Sequence, residues 1–243
     1  CSASGDVFSL EPSRSFTIQT GGFVGFIEVD TLIRNCRAEG DASGMNGSTG
    51  GFVGWGEGVI EDSVSEGNVV AATRSGGFAG QVDSTSLKVR SEPGPPTSII
   101  TGIGGFVGYS FGGVEFIGCE SHGIATSISE FSGFTGGFIG HTSNDTIIEC
   151  FSTGDVVTSF GKAGGFIGHH RLDAGLQVDN CFSTGDVVYN GRDTPASIGG
   201  FIGGVDNTAT IKNCYSVGNI NVSGPTAGGF VGNFSRLTFT GCY

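Results

Sequence analysis

Apolar residues in this chain fall in clusters of four to six, rich in Val, Ile and Phe, each closed by Gly, Asn, Asp or Ser. Clusters of that length and type, bounded by turn residues, predict short strands. They also recur. The pentapeptide Gly-Gly-Phe-(Val/Ile/Ala)-Gly occurs eight times, with its aromatic at Phe23, Phe52, Phe78, Phe106, Phe138, Phe166, Phe201 and Phe230, at spacings of 29, 26, 28, 32, 28, 35 and 29 residues. About a dozen residues after most of these come an apolar residue, two variable positions and a Cys: IRNC at 33–36, FIGC at 116–119, IIEC at 147–150, VDNC at 178–181, IKNC at 211–214 and FTGC at 239–242. IEDS at 60–63 keeps the pattern with Ser63 in the Cys place. A polar run, then usually Gly with Asp, Asn or an apolar residue, closes the unit, as in CFSTGDVV at 150–157 and again at 181–188.

One unit is too short to be a domain, and it is too rich in Gly for helices, where Gly costs roughly 1 kcal/mol against Ala. Three short strands per unit cannot bury their own apolar face, but stacked units can. The expected fold is all-β: a parallel β-solenoid (β-helix) of about eight coils of 26–35 residues, forming one domain over 1–243. Residues 1–20 make a partial coil, and 92–101 leave the solenoid as a loop, because Lys88 and the prolines of LKVRSEPGPP break the ladder. Equivalent positions then form columns at about 4.8 Å spacing. The eight Phe make one core ladder, and Ile33, Ile60, Phe116, Ile147, Val178, Ile211 and Phe239 make a second. The Gly-Gly before each Phe fits a corner that takes φ > 0 or packs closely on the next coil.

Neighbours in an extended strand point to opposite faces. With Phe inward, the following residues Val24, Val53, Ala79, Val107, Ile139, Ile167, Ile202 and Val231 are expected to face outward. An apolar stripe of that length marks an interface, covered by another chain or by an insertion of the same one. A bend at the Gly that turned both residues inward would remove the motive.

Composition narrows the function classes. The 47 Gly lack a third-residue period and Pro numbers only 6, which excludes collagen. With 37% hydrophobic residues and 20 Phe, the chain is no disordered linker. No stretch approaches the roughly 20 apolar residues of a membrane span. With no charged n-region, h-region or initiator Met, any targeting segment is expected to have been removed. A net charge of −12 with 11 Lys plus Arg argues against nucleic acid and anionic membranes as partners. The acidic, lysine-poor composition suits an extracellular or cell-surface location.

The pattern GGFVG…IxxC…GxV resembles the GLUG motif, a glycine-rich repeat of surface-exposed and secreted microbial proteins that include adhesin-like proteins and the stalks of some IgA-cleaving peptidases. The resemblance runs from Thr20 to Tyr243, with a half-unit at 1–7. It implies a scaffold rather than a chemistry. The chain departs from the pattern in using Phe where Leu is commoner and in its regular Cys, and it lacks a metal-binding His-Glu-x-x-His.

Candidate chemistry is sparse. No Gly-x-Ser-x-Gly elbow, P-loop or dinucleotide fingerprint is present, so no catalytic residue and no cofactor is assigned. A carbohydrate-active enzyme on this fold would need clustered acids on one face. His141 and His169 follow Gly-Gly-Phe-Ile-Gly and stack, with His170 beside them; a Zn or Cu site competes with a plain column of large residues that also holds Phe26, Trp55, Gln81 and Tyr109, and the column is preferred. Asp6, Asp41, Asn68, Asp155, Asp186 and Asn219 form another column, where a Ca²⁺ between Asp155 and Asp186 competes with turn capping, and capping is preferred. Cys1, Cys36, Cys119, Cys150, Cys181, Cys214 and Cys242 share one phase. Staggered disulfides such as Cys119–Cys150 and Cys181–Cys214, or an unbonded thiol ladder, both fit. Cys1 also resembles the lipid-bearing Cys of a bacterial lipoprotein, a second choice to its place in the repeat. The sequons at Asn46, Asn144, Asn221 and Asn233 number about what Ser/Thr content gives by chance.

The sequence thus points to a structural β-solenoid, a subunit of a surface fibre or stalk, with an adhesin that binds glycan or another surface as the alternative. The half-coils at Cys1 and at Cys242–Tyr243 are complementary, which suggests head-to-tail self-assembly with Cys242 near Cys1 of a neighbour.

Overall fold

A computed structural model describes residues 1–9, 18–44, 47–71, 73–83, 86–91, 97–98, 101–127, 133–171, 175–191, 196–223 and 226–243. The secondary structure of these residues is entirely β. One turn of the chain shows how the repeat builds a coil. Strand Gly133–Gly136 runs into a bend at Gly137-Phe138, and Ile139–Thr142 and Thr146–Ile148 follow. A second bend carries Cys150 into Phe151–Ser152, and Val156–Thr158 completes the circuit. Each strand lies parallel and in register with its equivalent in the next coil: Thr135 opposite Ala163, Ile139 opposite Ile167, Ile147 opposite Val178, Phe151 opposite Phe182 and Val156 opposite Val187. The strands that lead into the Phe form one eight-stranded sheet, those equivalent to Val156–Thr158 another, and a 20-stranded sheet holds the rest, including Phe151–Ser152 just after the Cys turn. The chain is a parallel β-solenoid.

Two stacks of side chains fill it. The eight Phe rings lie with centroids 4.7–5.2 Å apart and planes within 14°, inside the range where aromatic pairs attract. Phe52 to Phe201 are fully buried, while Phe23 and Phe230 are half-buried. Beside them, Ile60, Phe116, Ile147, Val178 and Ile211 are buried; Phe116 meets Phe138 edge-on at 5.7 Å. A smaller core of Ile103, Ala125, Val156, Ala163, Val187 and Ile198 lies between the two eight-stranded sheets.

The outward stripe expected after each Phe is corrected. Val53, Val107, Ile139, Ile167 and Ile202 are as buried as the Phe themselves, and Val24 and Val231 pack half-buried on the same core. The reason is visible in the backbone. Phe138 N–H and Ile139 N–H both donate to Phe166 O, at 2.9 and 3.0 Å, and the arrangement repeats along the stack. Consecutive amides pointing the same way break the alternation of a pleated strand. Each Phe sits in a bend, its successor opens the strand, and both side chains turn inward.

The Gly-Gly pair also resolves between its two explanations. None of these glycines has φ > 0. Inside the stack they are required by contact: a Cβ on Gly136 would lie 2.0 Å from Ile139 O, and one on Gly137 would lie 2.1 Å from Gly165 O of the next coil, whereas Gly229, in the last coil, has nothing within 4 Å.

The ladder does not break at Lys88. Strand Ser86–Ser91 sets Leu87 opposite both Ile60 and Phe116, and Lys88 opposite Glu61. Within the expected loop 92–101, residues 92–96 and 99–100 lie outside the described residues, while Thr97–Ser98 pairs with Val70–Ala71 and Thr101 opens the strand Thr101–Gly104. At the start of the chain, Ser2–Ala3 and Val7–Ser9 pair with Arg37–Ala38 and with the strand Ala42–Gly44, and residues 10–17 lie outside the described residues.

Candidate functional site

Because the coils are in register, any chemistry must be built from columns. The corner before the Cys is the most regular. Asn35, Asp62, Glu149, Asn180 and Asn213 have φ of 47–56° there, and Gly118 and Gly241 have φ of 62° and 66°. Asn, Asp and Gly tolerate this left-handed conformation better than other residues. In the sequence this position looks variable; its signal is the run Asn, Asp, Gly, Glu, Asn, Asn, Gly.

The seven Cys are free thiols. Cys150 and Cys181 point back along the chain, each Sγ 3.2 Å from the carbonyl two residues earlier, and Cys119 N–H donates to Cys150 Sγ at 3.3 Å. Burial holds the Cys150 thiol well above its ordinary value, and Cys181 together with burial raises that of Cys214. Two residues on, Ser121, Ser152 and Ser183 donate across the coil to the carbonyls of Gly137, Gly165 and Gly200, at 2.8, 2.6 and 3.0 Å. These hydroxyls staple the Cys turn to the Gly-Gly corner. In the sequence they are hidden within a polar run.

The Asp/Asn column caps backbone. Asp186 N–H donates to Asp155 Oδ1 at 2.9 Å, Asn219 N–H to Asp186 Oδ1 at 2.7 Å, and Asn68 N–H to Asp41 Oδ1 at 2.8 Å. Each of these carboxylates thus holds the turn of the next coil through one oxygen.

His141 and His169 are neighbours in register, with ring centroids 5.3 Å apart and planes tilted by 53°. Phe134 lies over both rings, and Lys162 Nζ sits 2.8 Å from His169 Nε2 while donating to Asp206 Oδ1 at 2.5 Å. An ammonium at that nitrogen opposes a bound cation. Nearby, Asp145 is fully buried; its carboxylate accepts from the Thr142 hydroxyl and from Val114 N–H, and burial lifts it to about 6.

One further column lies on the outside. Phe151, Phe182, Tyr215 and Tyr243, the residues that follow the last four Cys, stack at 4.8, 5.0 and 5.3 Å with planes within 7°. In earlier coils the same column holds Arg37, which pairs with Glu39 and Glu66. The aromatic column is legible in the Cys-Phe and Cys-Tyr pairs, but the stricter repeat of the Cys masks it. The sequon residues Asn144, Asn221 and Asn233 are exposed, and Asn46 lies outside the described residues.

Taken together, the columns hold coils to one another. Among the described residues, no group of three or more His, Cys, Asp or Glu is arranged to hold a metal ion, and no described helix is long and apolar enough to cross a membrane.

A family model, the GLUG motif, matches residues 194–221. Over 226 residues, 91% of its length, the chain is 31% identical to halomucin of Haloquadratum walsbyi (strain DSM 16790 / HBSQ001), and it spans about 2% of the length of that relative. No solved structure matches the chain. The matched segment contains one Gly-Gly-Phe-Ile-Gly corner and one Ile-x-x-Cys turn, and the same corner recurs along a single continuous β-solenoid, so the chain is a GLUG-motif repeat protein.

Proposed function

We propose that this chain serves as a rigid structural segment of a surface or secreted protein. The observation that carries the reading is the unbroken register. The Phe stack runs from Phe23 to Phe230 with no spacing above 5.2 Å. Seven steps of about 4.8 Å make a rod of about 34 Å along the axis. Similarity to halomucin and the net charge of −12 support a place outside the cell. The glycan-binding alternative draws little from the outer aromatics. Sugars pack on ring faces, and in this column Phe182 and Tyr215 each have a ring stacked on both faces.

Two measurements test the reading. Duplicating one internal coil, residues 138–165, should lengthen the particle by about 4.8 Å in small-angle scattering and leave its cross-section unchanged. A changed cross-section would contradict a modular rod. On intact source cells, an antibody to this segment should bind without permeabilisation or recover the segment from the medium. Binding only after lysis would overturn the surface reading.

A further inference from the structure

Apart from Cys and Tyr189, the buried ionisable side chains among the described residues are His141, Asp145, His169 and His170. All belong to two successive coils. The column that holds His141 and His169 carries Phe26, Trp55, Gln81 and Tyr109 in earlier coils, none of which changes charge in acid. The two imidazoles are 3% and 2% exposed, and their Nδ1 atoms have no hydrogen-bond partner. Tyr109 stacks on His141 at 4.5 Å, and Phe134 lies 4.4 Å from His169.

The neighbouring elements set the charge around them. Val107–Phe111 and Gly133–Gly136 present Tyr109 and Phe134 and no charge. Lys162–Gly164 brings the Lys162 ammonium to His169 Nε2. Ile202–Lys212 brings Asp206, whose Oδ2 lies 2.9 Å from the same nitrogen but whose other oxygen is held by Lys162. Ile167–His170 adds His170, with Nδ1 3.3 Å from Thr142 O, and Arg171 follows it. Asp145 is enclosed by Thr142 and Val114. A proton added to either imidazole therefore meets another imidazole, Lys162 and Arg171, against one carboxylate that is already paired.

We infer that the His141–His169 pair is an acid-sensitive joint of the solenoid: proton uptake by these imidazoles releases Gly133–Gly136, Ile139–Thr142 and Ile167–His170 from one another while the other rungs stay stacked. Burial, helped by the neighbouring cationic groups, lowers His141 from 6.5 to about 3 and His169 from 6.5 to about 4. In the closed form both are neutral, and in the open form both titrate at their ordinary value. The opening equilibrium therefore grows about tenfold per imidazole for each pH unit below ~6.5, until the closed-state values are reached. Asp145 acts in the opposite sense. Raised to about 6, it favours closure as pH falls from there to 3.8. One carboxyl opposes two imidazoles, and opening prevails.

Hydrogen exchange of the full chain from about pH 7 to about pH 3.5, corrected for intrinsic rates, tests this. Protection in 133–142 and 167–170 should fall first, by at least tenfold per pH unit, while 52–56 and 202–205 keep theirs. The H141F/H169F variant should keep protection throughout, since a phenyl ring is close to imidazole in size and takes up no proton; H141Q/H169Q, which follows Gln81 of the same column, serves should the first fail to fold. Lys162→Met should move the opening to lower pH, because Asp206 then pairs with protonated His169. Uniform loss over all rungs, no loss by about pH 3.5, or the same loss in the His variants would overturn the inference.

Discussion

Glu149 is the one residue at the left-handed corner whose type does not suit it. Its φ of 56° matches the 53° of Asn180 and the 50° of Asn213 in the following coils. A side chain with an ordinary Cβ costs roughly 1–2 kcal/mol in that region, and Asn recovers part of it through local hydrogen bonds. Glu149→Asn should raise unfolding free energy by about 0.5–1 kcal/mol in denaturant titration, and the reverse change, Asn180→Glu, should lower it by a similar amount. No change in either variant would mean the corner is set by its neighbours rather than by its own residue. This position also shows how single residues escape a sequence reading. The Cys and the apolar residue three before it stand out because they repeat with little change. The corner repeats only as a shared tolerance of three residue types, which becomes visible once φ is known. Lys162 and Asp206 escape for another reason. Lys162 reaches His169 across the Gly-Gly-Phe corner of its own coil, and Asp206, 44 residues from Lys162, meets both only through the register of the following coil.

At the level of strands and corners, the solenoid, its repeat length and both inner ladders could be read from the periodicity of Phe and of the Ile-x-x-Cys turn. What could not be read was where each strand begins. Alternation assigns inside and outside correctly only within a strand, and Phe138 is in a bend whose amide shares an acceptor with that of Ile139. The assumed pleat placed Ile139 outside, and the bend places it in the core. The same corner yields a sharp test. A methyl on Gly136 would meet Ile139 O at 2.0 Å and Gly168 N at 2.7 Å, backbone atoms of its own and the following coil. Neither can retreat without breaking register, so Gly136→Ala should cost about 3 kcal/mol or more. Gly5 has nothing within 4 Å of its notional Cβ, and Gly5→Ala should shift stability by no more than about 0.5 kcal/mol. Equal effects in the two variants, read from denaturation midpoints, would show that glycine here serves chain freedom and not close approach.

Over the whole molecule, each rung is supported mainly by the rungs beside it, so a local loss should be felt along the axis. Phe138 stacks between Phe106 at 4.9 Å and Phe166 at 4.8 Å, and Phe116 meets it edge-on. Phe151 belongs to the same coil and stacks as closely on Phe182, at 4.8 Å, but it is half-buried on the outer face. Ring geometry alone would give the two similar weight; burial separates them. Removing a fully enclosed phenyl leaves a cavity that neighbouring rings, held in register by their own coils, cannot close, at a cost of about 3–5 kcal/mol. Removing one that faces water on its edge costs about 1 kcal/mol. In a stack with nearest-neighbour coupling, the larger loss also divides the cooperative unit. Phe138→Ala should therefore reduce hydrogen-exchange protection in 106–117 and 166–178 as well as in its own coil, and thermal unfolding should broaden or split. Phe151→Ala should affect 151–158 and leave the single transition intact. Should both variants melt in one sharp step with equal loss, the outer stack would carry as much of the solenoid as the inner one, and its rings would have to be counted as core.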